Sequence, residues 1–159
     1  LLVVDHLFSG SALCAVNEKG RLLLPGFVRF TLARRTDARS LLIGSHEHDP
    51  CLIAYDAAYA RALHADCERR RIAEERDAPA ASARRLRRLF GLAETAAIDE
   101  QGAIVLPPMV RRHARIGAQA LVVSIGGAFE LWDPEAALGH DDPGLRELAA
   151  FHKEVRHVA

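Results

Sequence analysis

The sequence has no excess of charge of either sign: 21 Lys and Arg balance 21 Asp and Glu. Bulk attraction to a polyanion is therefore a weak basis for function, and local clustering of cations counts for more than the sum. It also lacks paired cysteines. Its 3 Cys are an odd number without paired spacing, which suggests free thiols in a reducing cytoplasm. No apolar run approaches membrane-spanning length. The opening Leu1-Leu2-Val3-Val4 is too short for a signal peptide and has no basic flank. The chain begins without Met, so a native N-terminus upstream of Leu1 is expected. There is no nucleophile elbow, phosphate-binding glycine loop, zinc spacing or paired-carboxylate motif in a recognisable setting. Nothing argues for an enzyme or a cofactor, and the reading is of a cytoplasmic protein.

What the sequence does have is a repeat. Half of its 159 residues are hydrophobic, enough for one compact domain or two small interlocked repeats. Asn17-Glu18-Lys19-Gly20-Arg21-Leu22-Leu23-Leu24-Pro25 is echoed by Asp99-Glu100-Gln101-Gly102-Ala103-Ile104-Val105-Leu106-Pro107. Each copy follows an apolar segment, makes a four-residue turn, re-enters an apolar strand and stops at a proline. Asn or Asp opens the turn by bonding the backbone two residues on, and Gly accepts the positive φ that closes it. Leu22 to Leu24 and Ile104 to Leu106 are unbroken apolar runs, expected to be strands buried on both faces. Pro25 and Pro107 fit the first turn of a helix. The echo continues in Val28-Arg29 and Val110-Arg111, in Leu41-Leu42-Ile43 and Leu121-Val122-Val123, and in the strands ending at Asp56 and Asp133. This is an internal duplication.

Phe8-Ser9-Gly10, the two turn–strand–proline units, Asp49-Pro50-Cys51-Leu52, Arg88-Leu89-Phe90-Gly91 and Phe129-Glu130-Leu131-Trp132-Asp133 occur in one order. Together they resemble the MraZ family of bacterial DNA-binding regulators, from Phe8 to about Leu138. The resemblance implies an α+β fold of two tandem, pseudo-symmetric, AbrB-like swapped-hairpin repeats forming a β-barrel, with flanking helices. It also implies assembly into a ring of identical subunits, an octamer or dodecamer. The partner implied is double-stranded promoter DNA carrying short tandem repeats, at the gene cluster for division and cell wall synthesis, and the location is the nucleoid.

The expected organisation is a first repeat at 9–56, a helical connector at 57–91, a second repeat at 92–138 and a C-terminal helical tail at 139–159. Residues before Phe8 lie outside the pattern and are expected to be a disordered lead. Within the first repeat a short helix is expected from Gly26 to Ala33, with strands at Leu41 to Gly44 and Cys51 to Tyr55. The Ala- and Arg-rich connector has high helix propensity. Ala57 to Glu75 is one candidate helix, and Pro79 starts another that ends near Gly91. Arg70/Glu74 and Arg71/Glu75 are four apart and suited to pairing on a solvated face. Asp142-Pro143-Gly144 breaks the chain before a last helix with Leu145, Leu148, His152 and Val155 on one side.

The leading functional candidates are Asn17, Lys19, Gly20 and Arg21 at the first tip. The resemblance implies that basic residues of this loop contact DNA, and Arg21 stands on its arginine position. Asn17 replaces the family's Asp, keeping the acceptor while removing a charge. The second tip keeps Asp99 and Gly102 but has Ala103 where an arginine is expected, and Gln101 in place of Lys19. It is therefore expected to support fold and assembly more than DNA contact. Arg84, Arg85, Arg87 and Arg88 form the densest cationic run, read as a surface for acids of a neighbouring subunit ahead of a phosphate contact. His46-Glu47-His48-Asp49 with Cys51 resembles a metal cluster, but its counterpart Gly126-Gly127-Ala128 has no ligand types, so a polar loop is expected. Tyr55 and Trp132 end matching strands and are read as core. The rival reading is a ring-shaped scaffold for other proteins that has lost DNA binding. A metal-responsive protein using the His46–Cys51 loop is a third.

Overall fold

The computed structural model describes residues 6–158, with side chains to residue 156. The segment Leu1 to Asp5, which holds most of the expected lead, lies outside the described residues. His6 and Leu7, also assigned to that lead, are placed: the His6 carbonyl accepts a hydrogen bond from Arg35 Nη1 at 2.9 Å.

Period-2 patterning and two prolines set the element order. The first half runs β1 (Ser11–Ala15), β2 (Arg21–Leu23), α1 (Gly26–Arg35), β3 (Ser40–Ser45) and β4 (Leu52–Tyr55). Helices α2 (Ala57–Glu74) and α3 (Pro79–Leu86) follow, the latter ending in a π-turn at Arg87–Gly91. The second half repeats the first as β5 (Glu94–Ala97), β6 (Ala103–Val105), α4 (Pro108–His113), β7 (Gln119–Ser124) and β8 (Phe129–Trp132). Short α5 (Pro134–Leu138) and long α6 (Pro143–Val158) close the chain. Pro25 and Pro107 stand one position ahead of α1 and α4, at the cap, instead of inside the first turn.

The two halves exchange strands. All pairings are antiparallel, and the six-stranded sheet has the order β1-β7-β8-β4-β3-β5. Thus β1 of the first half pairs with β7 of the second, and β5 of the second pairs with β3 of the first. β4 and β8 meet at the centre, which is the pseudo-two-fold position. Among the described residues β2 and β6 pair only with each other, with Leu22 opposite Ile104. A three-residue strand cannot bury a core alone, so each half needs the other's copy.

Alternation sorts the side chains into three clusters. Leu22, Leu24, Ile104 and Leu106 of the β2–β6 ribbon pack with Val28 of α1, Val110 of α4 and the inner residues of the large sheet. On the outer face, Leu121 and Trp132 pack under α5 and α6 through Ala137, Leu145 and Ala149. Ile53 and Tyr55 pack under α2 against Tyr59 and Leu63. The ribbon does not behave as its unbroken apolar runs imply: Leu23 and Val105 are about half exposed, at 50% and 51%. The ribbon is capped on one side only, because no further layer lies over its outer face among the described residues. Tyr55 and Trp132 are core, as expected.

Charged groups tie the connector to the sheet. Asp56 caps α2, accepting from the Tyr59 amide at 2.9 Å, and pairs with Arg35 at 2.8 Å, both side chains being buried. Burial opposes ionisation of Asp56, but the Arg35 hydrogen bond and the Tyr59 amide outweigh it and hold the carboxyl below its usual range. Arg70 does not pair with Glu74 on a solvated face. It reaches Glu47 at 2.6 Å, while Glu74 takes Arg85 at 2.8 Å. Arg85 also contacts Glu47 at 3.1 Å, and Arg88 donates to the His46 carbonyl at 2.8 Å. Two of the four arginines at 84–88, Arg85 and Arg88, therefore make contacts within one chain. The last helix packs on β1 and α5 through Leu145 and Ala149, and His152 lies 2.9 Å from Ser11 Oγ; Val155 stays exposed.

Ile104 is 1% exposed and faces Leu22 from the other half. Ile104→Ala should cost about 2–5 kcal/mol. Because the halves share strands, thermal unfolding followed by two probes should remain a single transition. Two separated transitions, one per half, would contradict the interlocked arrangement.

Candidate nucleic-acid interface

The two tips are built alike. In the first, the Arg21 amide donates to Asn17 Oδ1 at 2.8 Å and the Gly20 amide to the Asn17 carbonyl at 2.9 Å. Gly20 has φ +85°. In the second, Asp99 Oδ1 accepts from the Gln101 and Ala103 amides, both at 2.9 Å, and Gly102 has φ +84°. That positive φ is the reason for glycine at both tips. A Cβ on Gly102 would in addition strike the Arg29 side chain.

The ribbon joins the tips. Arg21 opens β2 opposite Val105, and its guanidinium reaches the second tip, donating to Asp99 Oδ2 at 3.1 Å and to Gln101 Oε1 at 2.6 Å. Asp99 is held below the usual carboxylate range, first by the Ala103 amide and then by Arg21 and the Gln101 amide. Ala103 stands diagonally across the ribbon from Arg21 and is 1% exposed. The two tips therefore differ in charge: the second presents Asp99 and Gln101 to Arg21, and the first has the neutral Asn17 at the position of Asp99.

The first-tip residues are therefore together, and the second tip is their neighbour. Lys19 is exposed; Arg21 is half-exposed and tethered to the second tip. An exposed, solvent-screened pair of this kind is weak. A specific arginine contact to a base is worth about 1–3 kcal/mol. The tether positions Arg21 without locking it away.

Two further arginines matter, and the echo of Val28-Arg29 in Val110-Arg111 points at them without giving a role. Arg111 of α4 donates to the carbonyls of Glu18 at 3.1 Å, Ile116 at 3.0 Å and Gly117 at 3.0 Å, bracing the first tip from the second half. Arg29 donates to the Leu24 carbonyl at 3.0 Å and underlies the second tip. Contact across the halves appears only once the strands are exchanged.

Among the described residues the histidine loop forms no cluster of three or more potential metal ligands. His46 Nδ1 instead accepts from the amides of His48 and Asp49, at 3.1 and 3.0 Å, closing the turn, and Cys51 is buried. No described helix is long and apolar enough to cross a membrane.

Comparison with known sequences supplies the family. The profile described as "MraZ protein, putative antitoxin-like" matches residues 89–136. Transcriptional regulator MraZ of Saccharophagus degradans is 32% identical over 131 residues, 82% of this chain and 84% of that protein. The chain belongs to the MraZ family. The MraZ regulator of Herpetosiphon aurantiacus is 35% identical over 81% of this chain and 82% of its own length. That of Alcanivorax borkumensis is 29% identical over 96% and 99%. Overlaps of this extent take in parts of both halves of this chain.

Asp99→Ala removes the acceptor of two turn amides and frees Arg21. Hydrogen exchange at the Gln101 and Ala103 amides should speed up well beyond that at Gly20. In the wild type the Asp99 contacts should persist above the usual carboxylate range and be lost only as pH falls through its lowered pKa. Unchanged exchange at 101 and 103 would show that the carboxylate does not hold the turn.

Proposed function

We propose that the chain is a sequence-specific DNA-binding transcriptional regulator that contacts duplex DNA with Asn17, Lys19, Gly20 and Arg21, Arg21 reading the bases. The observation carrying this reading is Arg21: a half-exposed arginine on a two-strand ribbon, aimed by a pair weak enough to exchange for a base. A ribbon of this kind fits the major groove. The names of the MraZ relatives, transcriptional regulators, agree with it.

In this reading the exchanged strands are a swapped-hairpin barrel of AbrB-like type. Several subunits close into a ring at the nucleoid, and the ring binds short tandem repeats upstream of division and cell wall genes, repressing its own promoter. Exposed Phe30, Met109 and Phe151 offer apolar surface for subunit contacts. A neutral subunit with one reading tip binds weakly alone. Tips spaced to match tandem sites make later contacts intramolecular, with gains on the order of 10²–10⁴. Asp99, Gln101 and Gly102 then act through Arg21. The scaffold reading draws on the same ion pair, since Asp99 offsets the Arg21 charge, and it predicts weak, salt-insensitive association with DNA.

Arg21→Ala should lose preference for the tandem-repeat duplex over a scrambled one, at about 1–3 kcal/mol per base contact. Size by light scattering should not change, because the side chain is outside the core. Wild-type discrimination in this variant, by gel shift, would sink the assignment.

A further inference from the structure

The exchange of strands brings α4 of the second half beside the first tip, where it walls a cavity of about 520 Å³. Its charged lining is Lys19, Arg111, Arg112 and Arg115, against the single carboxylate Glu18. We propose that this cavity is a phosphate-binding groove for the backbone of duplex DNA, with Lys19, Arg112 and Arg115 as its contacts. The proposal rests on the DNA-binding reading above and adds residues from the opposite half of the chain.

The charges are available. Among the described residues no carboxylate forms an ion pair with Lys19, Arg112 or Arg115, and all three are exposed. Arg111 is committed differently. By donating to the carbonyls of Glu18, Ile116 and Gly117 it removes from the groove wall the acceptors that would repel an anion.

The fold alone does not demand these charges. The pseudo-equivalent concavity beside the second tip, about 390 Å³, is lined by Arg29 and Arg39 against Asp37 and Glu100. Both of its arginines are spent on backbone carbonyls, Arg29 on Leu24 and Arg39 on Asp99. The same topology therefore gives a cationic groove on one side and a balanced one on the other.

Arg115 adds a second, independent observation. It has φ 56°, the one described non-glycine residue with positive φ. The Arg115 amide donates to the Arg112 carbonyl and the Ile116 amide to the Arg111 carbonyl, both at 3.1 Å. This is a Schellman ending of α4 whose left-handed position ordinarily takes glycine. Glycine would sit there with less backbone strain, and the arginine instead places a cation in the groove lining.

The test is fluorescence anisotropy with a tandem-repeat duplex and a scrambled duplex of equal length, titrated across salt. Arg112→Ala and Arg115→Gly should each weaken binding to both duplexes about equally, roughly eightfold at 0.1 M salt, and lower the log–log salt slope by about 0.9 for each phosphate no longer neutralised. Arg115→Gly suits its backbone, so its Tm should rise by about 2–4 °C while affinity falls. Wild-type affinity and slope in both variants would overturn the groove and leave the reading tip standing. Weakening confined to one duplex would also overturn it, since phosphates carry no sequence. If these variants weaken binding while Arg21→Ala keeps full discrimination, the groove stands and the reading tip fails. If the wild type binds neither duplex, both fall.

Discussion

The pairing of β2 with β6 is the constraint on which the rest depends. Each strand has three residues and one buried face, so neither half can complete its core without the other's copy. The same pairing fixes where the two tips lie, because each tip is the turn that leads into one ribbon strand. It aligns Arg21 with Asp99 and Gln101, and it carries α4 to the first tip, where Arg111 takes hold of the Glu18 carbonyl. Packing, tip geometry and charge placement are consequences of one interlock.

Within that near-symmetric frame the chemistry is asymmetric. The two turns share glycines at φ +85° and +84° and nearly the same backbone bonds, yet one offers cations and the other acceptors. The second tip holds Asp99 and Gln101, which take the Arg21 guanidinium, and the first holds Lys19 and a neutral Asn17. A chain with no net charge can still hold a local cationic field this way, which is how a zero formal charge and a DNA-binding reading coexist.

Much of the fold is legible in the sequence because duplication doubles every signal. The turn residues, the glycines and the helix starts each appear twice, and each copy supports the other. α1 and α2 end within two residues of expectation. What is not legible is anything decided across the halves. Leu22 to Leu24 read as doubly buried, because an apolar run cannot show that a strand lies at the edge of the layers. Arg70 and Glu74 have helical spacing, yet Glu47 from the β3–β4 loop and Arg85 from α3 out-compete it with bidentate geometry. Ala103 reads as a second tip without a cation, and only the pairing across the ribbon shows that Arg21 reaches that tip from the other half. Arg112 and Arg115 carry no motif at all; their place beside Lys19 is a product of strand exchange.

The central claim is that DNA meets this chain at the first tip and the adjoining end of α4. Amide chemical shifts recorded while a tandem-repeat duplex is titrated into the labelled protein test that directly. The largest changes should fall on residues 17–21 and 111–117, with smaller ones at 99–102, and none of size on 57–91 or 143–156. Shifts concentrated on the connector or the last helix, with the tip and the end of α4 unmoved, would contradict it.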